Sequence, residues 1–342
     1  MKKRILIIGL FLDKESYIPT QAMEIASLLK NKGYEVLTIS DKKNRILRLL
    51  HAIYFLVIYR NKYDVGMVQL FSGLSVYWGY VSVRLLKTLN KKIIVTIRGG
   101  GIPAKMKIDP GIYLKMLRSA HIITCPSNFM INAMKEYGMD CELVENVIDM
   151  NYYTYDPREK LQPVLFWMRA FSPIYNPQMA VRVIKELKDR YNYSNIKLYM
   201  AGPDLGLKSE VLGMIKKMGL RDNIELVGFV NMRNKAYFAK VSDIYICTNN
   251  IDNAPVSFLE MIAFGLPIVS TNVGGIPHIV TDNQTALLVN QNDHVGMAEK
   301  IHYLISTPGA GKTLSANGKN MLNKYSAEEV FKKWDALLTE RI

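Results

Sequence analysis

Residues 4–39, RILIIGLFLDKESYIPTQAMEIASLLKNKGYEVLTI, decide the fold class. Residues 5–8 are continuously aliphatic, as in a strand buried on both faces of a parallel sheet. Over residues 20–33 the period changes. Ala22, Ile25, Ala26 and Leu29 recur at the i, i+3, i+4, i+7 spacing of one helix face, Met23 and Leu28 widen it, and Gly33 is placed to end the helix. Residues 35–39 (EVLTI) return to a strand. Strand, helix and strand in this order predict a βαβ unit.

The alternation continues outward. Further strands are expected at 65–70, 93–97, 121–124 and 142–144. Periodicity lapses in the polar, aromatic segment 151–162 (NYYTYDPREKLQ), which carries Pro157. A second series restarts with strands at 164–168, 196–200, 224–227, 244–247, 266–270 and 286–289. Its helices fall near 177–190, 208–218, 233–240, 255–264 and 294–305. Residues 326–341 form a polar helix with Val330, Phe331, Trp334, Leu337 and Leu338 on one face. The expected architecture is α/β, with two doubly wound Rossmann-like domains (1–155 and 156–325) facing across a cleft. The closing segment 326–342 is expected to pack back toward the first domain. Ligands in this class bind outside the carboxyl ends of the strands.

Composition narrows the function. The 342 residues suffice for two domains, and 49% hydrophobic with 22% charged residues excludes a disordered chain or a disulfide miniprotein. The net charge of +14, from 44 Lys/Arg against 30 Asp/Glu, favours an anionic partner. Cys125, Cys141 and Cys247 are too scattered for a disulfide framework, and the five histidines show no HExxH spacing. The opening MKKRILIIGLFL imitates a leader, but Asp13, Lys14 and Glu15 follow at once, so a buried strand is expected. The apolar stretch 46–59 is shorter than the roughly 20 residues of a membrane span. Residues 308–313 (PGAGKT) imitate a P-loop, yet Ser306 stands where the first glycine belongs and a helix precedes them. Gly9 is followed by Leu10, Phe11 and Leu12, which removes the fingerprint of a dinucleotide-dependent dehydrogenase. No helix-turn-helix, zinc finger or RNP-like motif supports nucleic-acid binding.

The chemistry concentrates in residues 249–275, NNIDNAPVSFLEMIAFGLPIVSTNVGG. Pro255 suits a first helical turn. The amides of Val256, Ser257 and Phe258 would then leave the helix N-terminus with its partial positive charge, which fits a diphosphate. Glu260 follows within the same helix, and Gly274 and Gly275 offer amides unshielded by side chains. Ser257 and Glu260 equally fit a capping box, in which the glutamate only satisfies a backbone amide.

Residues 252–277, D-N-x-P-x-S-x-x-E-x-x-A-x-G-x-P-I-V-x-T-x-V-G-G-I-P, resemble the donor-site signature of retaining glycosyltransferases of the GT-B fold, glycosyltransferase family four in particular. The resemblance implies a donor site for a nucleotide diphosphate sugar, with a UDP-sugar favoured and neither cofactor nor metal. Asp252 would contact the sugar and Glu260 the ribose. Pro255, Val256, Ser257, Phe258, Gly274 and Gly275 would hold the diphosphate, and Arg169 would bind phosphate as a fixed fork. The family's lysine five residues after that arginine is Ile174 here. Arg98, with Gly99, stands where the family often has a histidine that contacts the donor sugar, and beside three glycines it would cradle a phosphate or hydrogen-bond the sugar; His278 stands where the family often has a glutamate. Gly202 and Gly228-Phe229 match loops that face the nucleobase.

The implied reaction is retaining transfer of a sugar to a lipid-linked or saccharide acceptor, in cell-surface polysaccharide synthesis (lipopolysaccharide or capsule). A nucleotide-sugar epimerase of the same fold and a non-catalytic nucleotide-sugar-binding protein are the alternatives. Residues 1–150 carry 22 Lys/Arg against 12 Asp/Glu. That excess beside the apolar stretch 46–59 predicts a cytoplasmic protein docked on the anionic inner face of the plasma membrane.

Overall fold

The computed structural model describes residues 2–11, 19–42, 44–73 and 75–342. The acidic run 13–15 and Lys43 lie outside the described residues.

The first unit comprises residues 1–148 and 324–342. Its elements are β1 Arg4–Ile8, α1 Gln21–Asn31, β2 Glu35–Ile39, α2 Arg45–Ile58, β3 Val65–Leu70, α3 Ser75–Thr88, β4 Lys92–Ile97, α4 Ile102–Ile108, α5 Gly111–Leu117, β5 Ile122–Cys125, α6 Asn128–Lys135 and β6 Glu142–Leu143. The six strands form one sheet in the order β2-β1-β3-β4-β5-β6, every neighbour parallel. Along β1 the side chains alternate between two cores, Leu6 and Ile8 with Val68 and Val95, Ile5 and Ile7 with Ile25 and Leu29. This double burial is why the strand reads as an unbroken aliphatic run. The Thr20 side chain accepts from the Met23 amide at 3.3 Å and starts α1.

The second unit spans residues 149–323. It contains β7 Val164–Met168, α7 Pro177–Tyr191, β8 Lys197–Ala201, α8 Lys208–Lys217, β9 Ile224–Gly228, α9 Met232–Val241, β10 Ile244–Cys247, α10 Val256–Ala263, β11 Ile268–Thr271, β12 Leu287–Val289, α11 His294–Ser306 and α12 Ala310–Met321. Its parallel sheet runs β12-β11-β10-β7-β8-β9. The strand order reverses between β7 and β10, so loops leaving these two neighbours diverge to opposite sides and open a crevice at their carboxyl ends. β11 starts two residues later than the sequence predicts. Leu266 donates its amide to Met261 O at the end of α10, and Pro267 has no N–H to give the sheet.

The chain passes between units at 148/149 and 323/324, earlier than the expected 155/156 and 325/326. Tyr153 and Tyr155 belong to the second unit because their hydroxyls reach Glu260 (3.2 Å) and Ser315 (3.1 Å). The final helix, α13 Ala327–Glu340, lies in the first unit. There it buries Val330, Trp334, Leu337 and Leu338 against Ile5, Ile7 and Ile25, and Asp335 accepts from the Tyr34 hydroxyl at 2.7 Å. The PGAGKT string opens α12 directly after α11, with no strand before it.

Candidate active site

The site grows from the crevice between β7 and β10. Arg169 leaves β7, and its Nη2 donates to Asp252 Oδ2 at 3.0 Å. Asp252 belongs to the loop after β10, which neighbouring strands fasten. Trp167 Nε1 donates to Thr248 Oγ1 at 2.9 Å, Thr248 in turn to Tyr175 O at 2.9 Å, and Thr271 Oγ1 to Asn249 O at 2.7 Å. The Asp252 carboxylate also accepts from Asn249 Nδ2 and from the Asn253 amide, each at 2.8 Å. Below the guanidinium, Tyr175 presents its ring face 5.4 Å away, a cation–π contact. Among the described residues, Arg169 Nε and Asn249 Oδ1 are buried without a hydrogen-bond partner. They leave one donor and one acceptor unused beside the ion pair.

Burial sets the electrostatics. It pushes the Asp252 carboxyl above its ordinary range, and Arg169, the Asn253 amide and Asn249 pull it part of the way back. The same burial penalises the Arg169 cation, but the Asp252 charge together with Tyr245, Cys247 and Tyr175 outweighs this and raises its pKa. Acidification therefore protonates Asp252 earlier than a solvated carboxyl and releases Arg169. For stability the sign is opposite: ionised Asp252 is disfavoured at neutral pH, and that cost is relieved as pH falls through its raised pKa. Donor affinity in the wild type should fall on the acid side at a pH above the ordinary value of about 4, and Asp252→Asn should flatten that limb. Calorimetry across pH checks this; coincident limbs would remove Asp252 from the site.

Helix α10 starts at Val256 with Pro255 as its N-cap and no side-chain cap bond. The capping box is therefore not formed. Ser257 Oγ instead lies 3.0 Å from the Tyr245 hydroxyl, itself 3.3 Å from Met168 O, which ties the helix start to the residue preceding Arg169. The expectation of three outward amides is corrected at Phe258, whose N–H turns back to Pro255 O at 3.1 Å. Within the glycine pair, the expectation of a free amide is corrected at Gly275. Gly275 N donates to Asp252 O at 2.8 Å, and a Cβ there would stand 1.6 Å from Asn253 O. Its small size serves the Asp252 loop rather than a free amide.

Glu260 is buried one turn along α10. It receives Lys235 Nζ in a short ion pair and the Tyr153 hydroxyl at 3.2 Å. Lys235 is fully buried on α9, and the sequence reading missed it. A signal existed: Lys235 shares one helix face with Phe238 and Ala239, an apolar stripe in which a lysine needs an anion. Gly202 follows β8 at φ +149°, and a Cβ there would lie 1.9 Å from Arg169 O, so only glycine lets this loop approach. Gly228 ends β9 and donates no side chain, while the Phe229 ring is exposed. Ile174 is exposed and adds no charge beside Arg169. His278 is exposed in a short 3₁₀ turn after the glycine pair.

In the first unit, Arg98 and Gly99 do not form an open phosphate cradle. Arg98 Nε donates to Gln69 Oε1 at 3.0 Å and Nη1 to Asn146 Oδ1 at 2.5 Å, which joins the ends of three chain segments. Burial lowers the Arg98 pKa to about 10, so it remains a cation at neutral pH. The Gly99 amide is spent on Leu70 O at 3.3 Å.

With this geometry in hand, comparison is informative. Residues 156–321 match the model of the glycosyl transferases of group 1, a segment that holds Arg169, Lys235, Asp252 and Glu260. This segment is a group 1 glycosyl transferase domain. Related sequences agree with this. A glycosyltransferase of Haemophilus influenzae without an assigned substrate is 23% identical over 285 residues, covering 80% of this chain and 74% of its own. The N-acetyl-alpha-D-glucosaminyl L-malate synthase of Bacillus anthracis is 20% identical over 262 residues, with 72% and 67% covered. The fold of this chain is shared with solved structures at low identity. Sucrose-phosphate synthase from Thermosynechococcus elongatus superposes with a TM-score of 0.81 at 14% identity, covering 98% of each chain. HepE from Anabaena, solved with UDP and glucose, gives 0.80 at 12% identity over 98% and 99%.

Proposed function

We propose that this glycosyltransferase moves a sugar from a nucleotide diphosphate sugar, a UDP-sugar by preference, to the hydroxyl of a lipid-linked or saccharide acceptor with retention at the anomeric carbon. The observation that carries the reading is the Arg169–Asp252 ion pair at the reversal point of the second sheet, with the start of α10 fastened beside it through Ser257 and Tyr245. A cation, a helix N-terminus and a carboxylate in one crevice match a diphosphate and the hydroxyls of a sugar. HepE, solved with UDP-glucose, supports the preference for uridine.

In the proposed reaction the bond between the anomeric carbon and the diphosphate oxygen breaks, and its electron pair leaves with the phosphate. The acceptor oxygen attacks from the same face, and its proton passes to the departing phosphate oxygen. Arg169 and the positive end of α10 stabilise the charge that accumulates on the leaving group. Asp252 orients Arg169 and the sugar, and Glu260 holds the ribose. The role is assigned to cell-surface polysaccharide synthesis. Calorimetry against a panel of nucleotide sugars, followed by NMR of the product anomer, tests the reading. Binding of a UDP-sugar and a retained product are expected; no nucleotide-sugar binding, or an inverted product, overturns it.

A further inference from the structure

We infer that α2 is a docking face for an anionic lipid bilayer, lying in its interface rather than crossing it. The helix spends apolar residues on both sides. Ala52 and Leu56 are buried in the first unit's core, and the helix packs on α3 through that side. On the other side Ile46 (71% exposed), Leu47 (56%), Leu50 (56%), Tyr54 (60%), Val57 (37%) and Ile58 (56%) face outward. At about 100° per residue these six fall in one arc of roughly 120°, and no polar position lies inside it. A surface helix of a soluble domain normally places charges there. An exposed apolar stripe of this size marks an interaction surface.

Charge selects the occupant. Across residues 41–62 the sequence holds six Lys/Arg and one Asp, and α2 itself carries neither Asp nor Glu. Lys42 precedes the helix, Arg60 and Lys62 follow it, and all three are exposed. The one acid, Asp41, is paired with Lys42 at 3.2 Å. A second copy of this chain does not fit. Pairing two α2 faces, parallel or antiparallel, sets cationic ends against cationic ends, with no acid on either helix to offset them. An anionic bilayer takes the apolar stripe into its acyl boundary and the basic ends onto its headgroups, with Tyr54 at the level where aromatic rings settle. The 14-residue helix is about 21 Å long, short of the roughly 30 Å hydrocarbon core. No helix among the described residues is long and apolar enough to cross a membrane.

The test is flotation of the full chain with phosphatidylcholine vesicles, with and without phosphatidylglycerol, in low and high salt. No sugar donor is present, so the result is independent of the proposed transfer reaction. Binding to the anionic vesicles that weakens with salt is expected. Leu50→Glu should cut the partition coefficient by about tenfold or more. Lys42→Ala, Arg60→Ala and Lys62→Ala should each cost about fivefold. All four positions are exposed, and thermal melts of each variant confirm the fold. Equal binding to purely zwitterionic vesicles, undiminished partition of the variants, or a dimer abolished by Leu50→Glu in a chain that binds no vesicle would each overturn the proposal.

Discussion

Glu260→Ala should abolish the proposed transfer and cost about 3–5 kcal/mol of stability, because the substitution strands a buried cation. Lys235 is fully buried, and its ammonium meets Glu260 Oε1 in a short ion pair. With the carboxylate gone, the Lys235 ammonium and the Tyr153 hydroxyl both lose the Glu260 oxygen that accepts from them. A loss this large would by itself confuse stability with function, so the informative variant removes both charges. Lys235→Met with Glu260→Leu should return stability to within about 1 kcal/mol of the wild type, since a well-packed apolar pair often matches a buried ion pair. Donor binding should stay lost, because the carboxylate proposed to hold the ribose is still missing. Chemical denaturation and calorimetry on the two variants separate the roles. Wild-type turnover in the stable double variant would sink the assignment of Glu260 to the donor site.

The second large effect is expected at Arg169. Arg169→Met keeps the unbranched aliphatic part of the side chain but removes the guanidinium over Tyr175, and with it the charge that the proposed reaction sets against the leaving phosphate. The kcat should fall by about 10²–10³, the usual range when one preorganised donor to a developing negative charge is lost. Part of the loss should appear in KM, because the diphosphate is already anionic in the ground state. Arg169→Lys should rescue little, since an ammonium cannot reach Asp252 and a phosphate at once as a planar fork does. Asp252 would remain buried beside Asn249 without its cation, so a lower melting temperature at neutral pH, recovering on mild acidification, should accompany the kinetic defect. A kcat unchanged in the Met variant would remove Arg169 from the chemistry.

Arg169 and Asp252 were both legible in the string, one after an aliphatic strand and the other inside the 252–277 signature, and the structure brings them to 3.0 Å. Their partners were not. Lys235 and Tyr245 lie outside that stretch, and only the packing of α9 and β10 makes them neighbours of the site. Arg98 shows the reverse. Next to three glycines it reads as a phosphate cradle or a sugar contact, yet Gln69 and Asn146 already accept from two of its nitrogens. Sequence reports that a cation is flexible and glycine-flanked; it does not report which polar groups from distant strands have closed around it.

The sequence by itself determined the two βα series, because a strand buried on both faces must be aliphatic throughout and a helix on such a sheet must repeat its apolar residues at helical spacing. It also carried the 252–277 signature, whose residue types and spacing are readable without the fold. Tertiary structure alone decided what each functional residue is worth. Whether Ser257 and Glu260 close a capping box or serve a site depends on Tyr245 and Lys235, separated from them by 12 and 25 residues. Whether the apolar stretch 46–59 is core or surface depends on which side of α2 the sheet occupies. Burial and charge pairing are long-range quantities, and no local pattern encodes them.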